Sequence, residues 1–221
     1  MSAVALGAGL VVTACSPVKL GSAAIVGNER ITIATLDTEV TNLSRTVKLY
    51  PGTVQLSQEQ KTQQTLTWLI RFEINDELAR QAGITVSTAQ AQKALDEIYA
   101  AAKSSAQAQG IKNVTLDLIL VANGIPPNLA SEVGRYQAID SKFAEQVNGG
   151  QEPTSTSAQS ATTAKLNMAR CRAAKVLSVQ VNPQFGRFDY SQIAVVPAPG
   201  IVARPAGPAK APSKSGLTPA C

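Results

Sequence analysis

The sequence predicts a mainly α-helical domain: a helical bundle with a small β-sheet formed by an N-terminal hairpin and a late C-terminal strand. Three observations lead to this fold class. Apolar residues make up 44% of the 221 residues and aromatic residues only 4%, so a core must rest on Leu, Ile, Val and Ala. Apolar residues recur at helical spacing through the middle of the chain. Short β-prone runs stand instead near residues 22–33 and 176–181.

The first two elements are predicted to be a β-hairpin and a helix. Residues 23–26 and 30–33 are β-prone, and Gly27 and Asn28 between them form a two-residue turn signal. A helix should follow, capped by Thr32 and ended by Pro51-Gly52. Its inward face is predicted to carry residues spaced by four, three and four positions: Leu36, Val40, Leu43 and Val47.

The second helix has the clearest sequence signals. Ser57 and Gln60 form a capping-box pair at its start, and Gly83 is a stop signal at its end. Its apolar residues cover a wide face: Leu66, Trp68, Leu69, Ile70, Phe72, Ile74 and Leu78. A helix that is apolar over so much of its circumference belongs at the centre of a bundle. Trp68 and Phe72 are therefore assigned to the core and not to a binding surface.

Further helices are predicted in the second half of the chain. Ser87 should start a third helix that Gly110 closes. A short helix spans residues 115–122, and Asn128 should cap a longer helix that ends at residues 148–150.

The remaining chain is less regular. Residues 149–163 are rich in Ser, Thr, Gln and Gly, and they are either a linker or the fraying start of a helix over residues 164–174. Residues 176–181 alternate like a strand, which Asn182-Pro183 should end. Half of the prolines lie from Pro197 onward, which indicates a polyproline-II-like or disordered tail.

The N-terminus carries the pattern of an export signal. Residues 3–14 form an uncharged apolar run that is too short to span a bilayer. The run ends in a motif that resembles the bacterial lipobox, with a cysteine whose thiol takes diacylglycerol: Val12, Thr13, Ala14 and Cys15. No Lys or Arg precedes it, although such signals usually open with positive charge, and a start upstream of Met1 is one explanation.

We therefore predict cleavage before Cys15, lipidation of Cys15, and anchoring on the extracytoplasmic face of a membrane. The alternative is a buried apolar segment with an incidental cysteine.

Composition removes several kinds of chemistry. The chain has no histidine, so Ser-His-Asp triads, Cys-His dyads and His-based zinc sites are impossible. The cysteines at 15, 171 and 221 lie too far apart to suggest a metal site. The carboxylates of Asp76-Glu77 and Asp96-Glu97 are helix neighbours that do not converge on one substrate atom. We predict no catalytic residue, no metal and no cofactor.

The positive charge is spread along the chain. The formal net charge is +5, and the closest basic cluster is Arg170, Arg172 and Lys175. This distribution indicates a solvated surface and no nucleic-acid partner, with attraction to anionic lipid headgroups as a minor addition.

The two later cysteines leave a choice. Cys171 and Cys221 can form a disulfide outside the cytoplasm, because Cys221 follows a flexible tail. The alternative is a Cys171 buried beside Ala169 and Ala173, with an unpaired thiol at Cys221.

Two segments resemble a known family. Residues 23–32, followed by Leu36 and Asp37, resemble the start of the SurA-type N-terminal chaperone domain, with its apolar strand, Gly/Asn turn, Ile-Thr strand and Leu-Asp helix. Residues 179–189 are similar to the segment that closes such domains. The resemblance covers about residues 22–190 and implies that the late strand pairs with the hairpin while four to six helices pack around it.

The lipobox, the resemblance and the proline-rich end together predict a division of the chain. Residues 1–14 would be the signal peptide, 15–21 a tether, 22–190 the helical domain and 191–221 a Pro/Ala-rich tail. In SurA and PrsA relatives, parvulin prolyl-isomerase domains are inserted before the last helix and strand. The corresponding stretch, residues 149–163, is several times too short for one.

The implied function is that of a chaperone module without the isomerase. It would be a membrane-tethered extracytoplasmic holdase that binds unfolded or newly secreted polypeptides through weak apolar contacts, and it would not be an enzyme. The alternative is a structural or interaction lipoprotein that docks a folded cell-envelope partner.

Overall fold

The structure is a computed structural model that describes residues 20–52, 54–151 and 153–198. The lipobox residues Val12, Thr13, Ala14 and Cys15, and the tail cysteine Cys221, lie outside the described residues. The helices are α1 (Ile33–Val47), α2 (Gln58–Ala82), α3 (Thr88–Ala108), α4 (Leu116–Ala122), α5 (Ala130–Val147) and α6 (Thr156–Leu177). The strands are β1 (Ser22–Val26), β2 (Glu29–Thr32), β3 (Gln180–Val181), β4 (Arg187–Asp189) and β5 (Ala194–Val196).

The fold class predicted from sequence is confirmed, including the late strand. β1 lies between β2 and β3 and pairs with both in antiparallel fashion. Ala24 and Ile25 pair with Val181 and Gln180, so strands at opposite ends of the helical region share one sheet. At the hairpin turn Gly27 has a φ of +60° and donates its N–H to the Leu177 carbonyl at 2.6 Å. The positive φ favours glycine at this position, and a side chain there would also press on the end of the Leu177 side chain.

Helix α2 is central, as its apolar pattern predicts. Its Leu66, Ile70 and Ile74 are fully buried, and it packs against α1, α5, α6, β1 and β5. The main core also includes buried residues of the hairpin, of α1 and of α6: Ala23, Val26, Leu36, Val40, Cys171, Ala173 and Ala174. A second cluster joins α3, α4 and α5, and Trp68 and Phe72 pack against it while remaining partly exposed.

Helices α3 and α5 approach closely at Gly134. A Cβ atom at this position would lie 2.4 Å from the Ala91 carbonyl oxygen and 3.1 Å from the Leu95 Cβ. The contact therefore depends on the absence of a side chain.

Most helix ends fall where the capping residues predict. Thr32, Ser57, Ser87 and Thr115 each accept a hydrogen bond from the backbone N–H three residues on. Asn128 is an exception, and the prediction that it caps α5 is wrong. It lies in a 3₁₀ turn, Pro127–Leu129, and its side-chain amide instead donates to Glu39 Oε2 at 2.8 Å.

The C-terminal elements differ most from expectation. Helix α6 is longer than the predicted residues 164–174, and it includes Val176 and Leu177. The predicted strand over residues 176–181 is therefore wrong except for its last two residues, because Ser178 turns in a left-handed conformation between α6 and β3.

A second hairpin, β4–β5, follows β3. It reaches residue 196, beyond residue 190 where the sequence places the start of the tail, and it buries Ile193 and Val195. Within the described ranges, none of the helices is both long and apolar enough to cross a bilayer.

Candidate functional site

The residues singled out from sequence are distributed as follows. Cys171 is 4% exposed in the main core, and its sulfur is disulfide-bonded. The only other cysteines, Cys15 and Cys221, lie outside the described residues, so its partner stays a prediction. The Asp96 side chain accepts a hydrogen bond from its helix neighbour Gln92. Across the described residues there is no group of three or more metal-ligating His, Cys, Asp or Glu side chains.

A polar network lies inside the bundle where α2, α5 and α6 meet. The Arg170 guanidinium donates to both carboxylate oxygens of Asp140 and, at 3.1 Å, to the Asn75 side-chain oxygen. The Asn75 amide in turn donates to Asp140 Oδ1 and to the Tyr136 carbonyl. Arg170 also lies over the Tyr136 ring, 4.5 Å from its centroid. One residue of α2, two of α5 and one of α6 are thereby fixed relative to one another.

Burial controls the ionisation of this network. The side chains of Arg170 and Asp140 are only 12% and 14% exposed. Burial raises the pKa of the Asp140 carboxyl above its ordinary value, and the Arg170 guanidinium opposes that shift. Burial also raises the pKa of Tyr136 to about 12. The tyrosine therefore stays neutral at ordinary pH, and the ion pair is held by hydrogen bonds on both of its members.

Arg71 lies beside this network without a matching negative charge. Its guanidinium donates to the backbone carbonyls of Ile193, at 2.9 Å, and Gln192, at 3.3 Å. It also lies 5.2 Å from the Trp68 ring centroid. Burial lowers the pKa of Arg71, and nearby Arg170 acts in the same direction. No ion pair joins Arg71 to a carboxylate within the described part of the chain.

Two clefts adjoin at Arg71. The first has a volume of about 220 Å³ and lies between α2, α5, α6 and the segment that links β4 to β5. Its lining combines cationic, aromatic and flexible apolar side chains: Arg71, Tyr136, Met168, Arg170, Cys171 and Tyr190. We call this the arginine cleft.

The second cleft has a volume of about 320 Å³ and lies between the first half of α2 and β5. Its lining is rich in side-chain amides beside one indole ring: Gln60, Gln63, Gln64, Trp68 and Asn123. We call it the amide cleft, and the two clefts together the α2 groove. Small-molecule sites begin at about 300 Å³, so the arginine cleft is smaller than such sites and the amide cleft is close to their lower limit. The groove therefore suits a few side chains of a polypeptide better than a large cofactor.

Aromatic rings connect the two clefts. The Trp68 and Tyr136 ring centroids are 5.7 Å apart and meet edge to face, and Phe72 lies within 6.2 Å of both. Trp68 and Phe72 pack against the second core cluster, as predicted, but Trp68 also lines the amide cleft.

The sequence did contain signals for this site. Arg71 and Asn75 interrupt the apolar face of α2, and polar residues on a central helix must find partners inside the bundle. The sequence predicts that Arg170 belongs to a solvated basic cluster, and this prediction is wrong because the structure buries Arg170 against Asp140. Only the three-dimensional packing of α6 on α2 distinguishes Arg170 from exposed Arg172.

Comparisons with protein-family models, with curated proteins and with solved structures find no match for this chain.

Proposed function

We propose that the chain is a membrane-tethered, extracytoplasmic module that binds unfolded or newly secreted polypeptides in the α2 groove, without prolyl-isomerase activity. The lipid on Cys15 would hold the module at the membrane surface. It would thereby raise the local concentration of a weak binder where polypeptides emerge.

The α2 groove is the observation that supports this proposal most directly. Amide side chains line one cleft, and those of their groups that make no local hydrogen bond can bond to an extended backbone without reading its sequence. Aromatic rings and Met168 in the other offer apolar contact, and thioether side chains adapt to varied partners. A binder of this kind needs neither a catalytic constellation nor a cofactor.

The sheet arrangement gives a second, coarser support. A hairpin that precedes all the helices is completed by a strand that follows all of them. The resemblance to SurA-type chaperone domains implies the same arrangement.

Membrane anchoring is tested by labelling with a radioactive fatty acid in a bacterial host. We expect label on the wild-type chain, retention of label in Cys221→Ala, and loss of label in Cys15→Ala. Equal labelling of Cys15→Ala and the wild type would contradict the lipid assignment.

Polypeptide binding is tested by suppression of aggregation of several unrelated unfolded proteins. Met168 lines the arginine cleft and is 43% exposed, so Met168→Glu should weaken suppression by placing a charge in the apolar contact. The matched control is Val176→Glu, because Val176 is on the same helix, is 64% exposed and lines neither cleft. Equal suppression by the two variants would refute the groove as the binding site. Accelerated refolding of a proline-limited substrate would refute the absence of isomerase activity.

A second candidate function is docking of one folded cell-envelope partner. It is favoured by the small amount of exposed apolar surface, since the exposed large apolar side chains are scattered over the described chain: Leu20, Leu49, Ile111, Met168 and Val176. Failure to suppress aggregation, together with recovery of a single partner after cross-linking in cells, would select this alternative.

A further inference from the structure

We infer that the arginine cleft is the docking site of the chain's own tail, residues 217–221, held there by a disulfide between Cys171 and Cys221. The inference goes beyond the proposed function, because it assigns the cleft a resident occupant that a polypeptide client would have to displace.

The position of Cys171 supports this pairing. It lines the arginine cleft on α6 and is disulfide-bonded, and only Cys15 and Cys221 are available as partners. A sulfur that carries diacylglycerol cannot also form a disulfide, so the choice of Cys221 rests on the lipid assignment of Cys15. The Cα atoms of a disulfide lie about 4.4–6.8 Å apart. Residue 221 would therefore stand at the cleft itself.

The tail is long enough to reach the arginine cleft. The described chain runs to residue 198, just after β5, and β5 lines the adjoining amide cleft. The 22 residues from 199 to 220 could extend to about 70 Å in a polyproline-II conformation. That length exceeds the width of a domain of this size, so the link needs no rearrangement of the folded part.

The end of the tail and the arginine cleft also fit each other chemically. The tail segment Leu217-Thr218-Pro219-Ala220 precedes Cys221. Proline-containing extended segments dock on grooves lined with aromatic rings, because they are already stiff and offer flat apolar surfaces. The arginine cleft presents Tyr136, Tyr190 and Met168 for such contacts.

Formation of the bond requires an oxidant. In thiol–disulfide exchange with a protein or glutathione disulfide, the two cysteine thiols become one disulfide and the oxidant leaves as two thiols. Electrons and protons balance, and the bond is reversible by a dithiol reductant.

The pairing is tested by peptide mapping of the full oxidised chain without reduction. Trypsin would release Cys171 with Arg172, Cys221 in residues 215–221, and Cys15 before the cut after Lys19. We expect the Cys171 peptide linked to residues 215–221. A Cys15–Cys171 link would overturn both this inference and the lipid assignment. A Cys171–Cys221 link in a chain without lipid would leave this inference standing and refute only the anchoring.

Docking is tested separately from pairing by equilibrium unfolding of the full chain. The disulfide closes a loop of about 50 residues. If the native state holds the tail in the cleft, Cys221→Ser should raise the unfolding equilibrium constant by up to about a thousandfold. If the tail is linked but not docked, tethering the tail costs the folded chain about as much entropy as closing the loop costs the unfolded chain, and the constant should barely change. Cys15→Ser is the matched control, and we expect no change in it.

A spectroscopic readout completes the test. Trp68 is the single tryptophan of the chain and lies against both Arg71 and Tyr136. Acrylamide should quench its fluorescence less in the oxidised wild type than in Cys221→Ser or after reduction. Equal quenching together with equal stability would refute the docking, even where the disulfide is present.

Discussion

The buried ion pair between Arg170 and Asp140 gives the sharpest prediction for folding. Arg170→Met removes the donor to both Asp140 oxygens and leaves a carboxylate that is 14% exposed with only the Asn75 amide as a side-chain partner. Removing one partner of a buried pair typically costs about 3–5 kcal/mol, because the remaining charge is neither solvated nor compensated. We expect a loss of that size in the free energy of unfolding.

The design includes a double substitution and a matched pair. Replacing both members, as Arg170→Met with Asp140→Leu, should recover most of the loss because no buried charge remains. The control is the pair Arg135–Asp76, which also joins α5 to a neighbouring helix, here α2, at 2.9 Å but is 45% and 48% exposed. Arg135→Met should cost only about 0.2–1 kcal/mol.

The assay is urea unfolding followed by circular dichroism at 25 °C, with the midpoint and slope fitted for each variant. Similar losses for Arg170→Met and Arg135→Met would refute the argument from burial. So would a double substitution whose loss equals the sum of the two single losses, because the two residues would then not be coupled.

Three further substitutions test other parts of the fold. Burial, Asp76 and Glu29 raise the pKa of Glu73 above its ordinary value of 4.5. Ionisation of Glu73 therefore opposes folding, but only as the pH rises past that value. Glu73→Gln should accordingly raise the urea midpoint at pH 7 but not at pH 3.5. Gly134→Ala should cost about 1–3 kcal/mol through the clash with Ala91, and an unchanged thermal midpoint would contradict the close helix contact. Thr65 is fully buried, and its hydroxyl has no hydrogen-bond partner among the residues that the structure describes. Thr65→Val should therefore be neutral or stabilise by about 1 kcal/mol; a clear destabilisation in urea would indicate a partner for the hydroxyl.

Local signals in the sequence predict most of the fold. The turn at Gly27-Asn28, the capping boxes at Ser57 and Ser87 and the stop at Gly83 are each decided by residues within four positions of one another. Such interactions are readable from sequence because their partners are adjacent in it.

The errors occur where distant contacts decide. Asn128 has the side chain of a helix cap, but Glu39, 89 positions away, takes its amide. Val176 and Leu177 fall within the predicted strand, but they continue α6, a helix that packs on α2.

The candidate site is harder to predict for the same reason. Arg71 and Arg170 lie on different helices, and the carbonyls that hold Arg71 belong to a segment more than 120 positions away. No spacing rule links them.

The pairing of β1 with β3 also bears on the order in which the chain can fold. If the chain is exported from its N-terminus, Ser22–Val26 leaves first, yet its second partner, Gln180–Val181, follows about 155 residues later. Throughout that interval the hairpin has an unpaired edge, and unpaired edges invite pairing with other chains. Contacts so distant in sequence also form slowly. Until Gln180–Val181 arrives, the outer edge of β1 is therefore the part of this sheet most open to pairing with another chain.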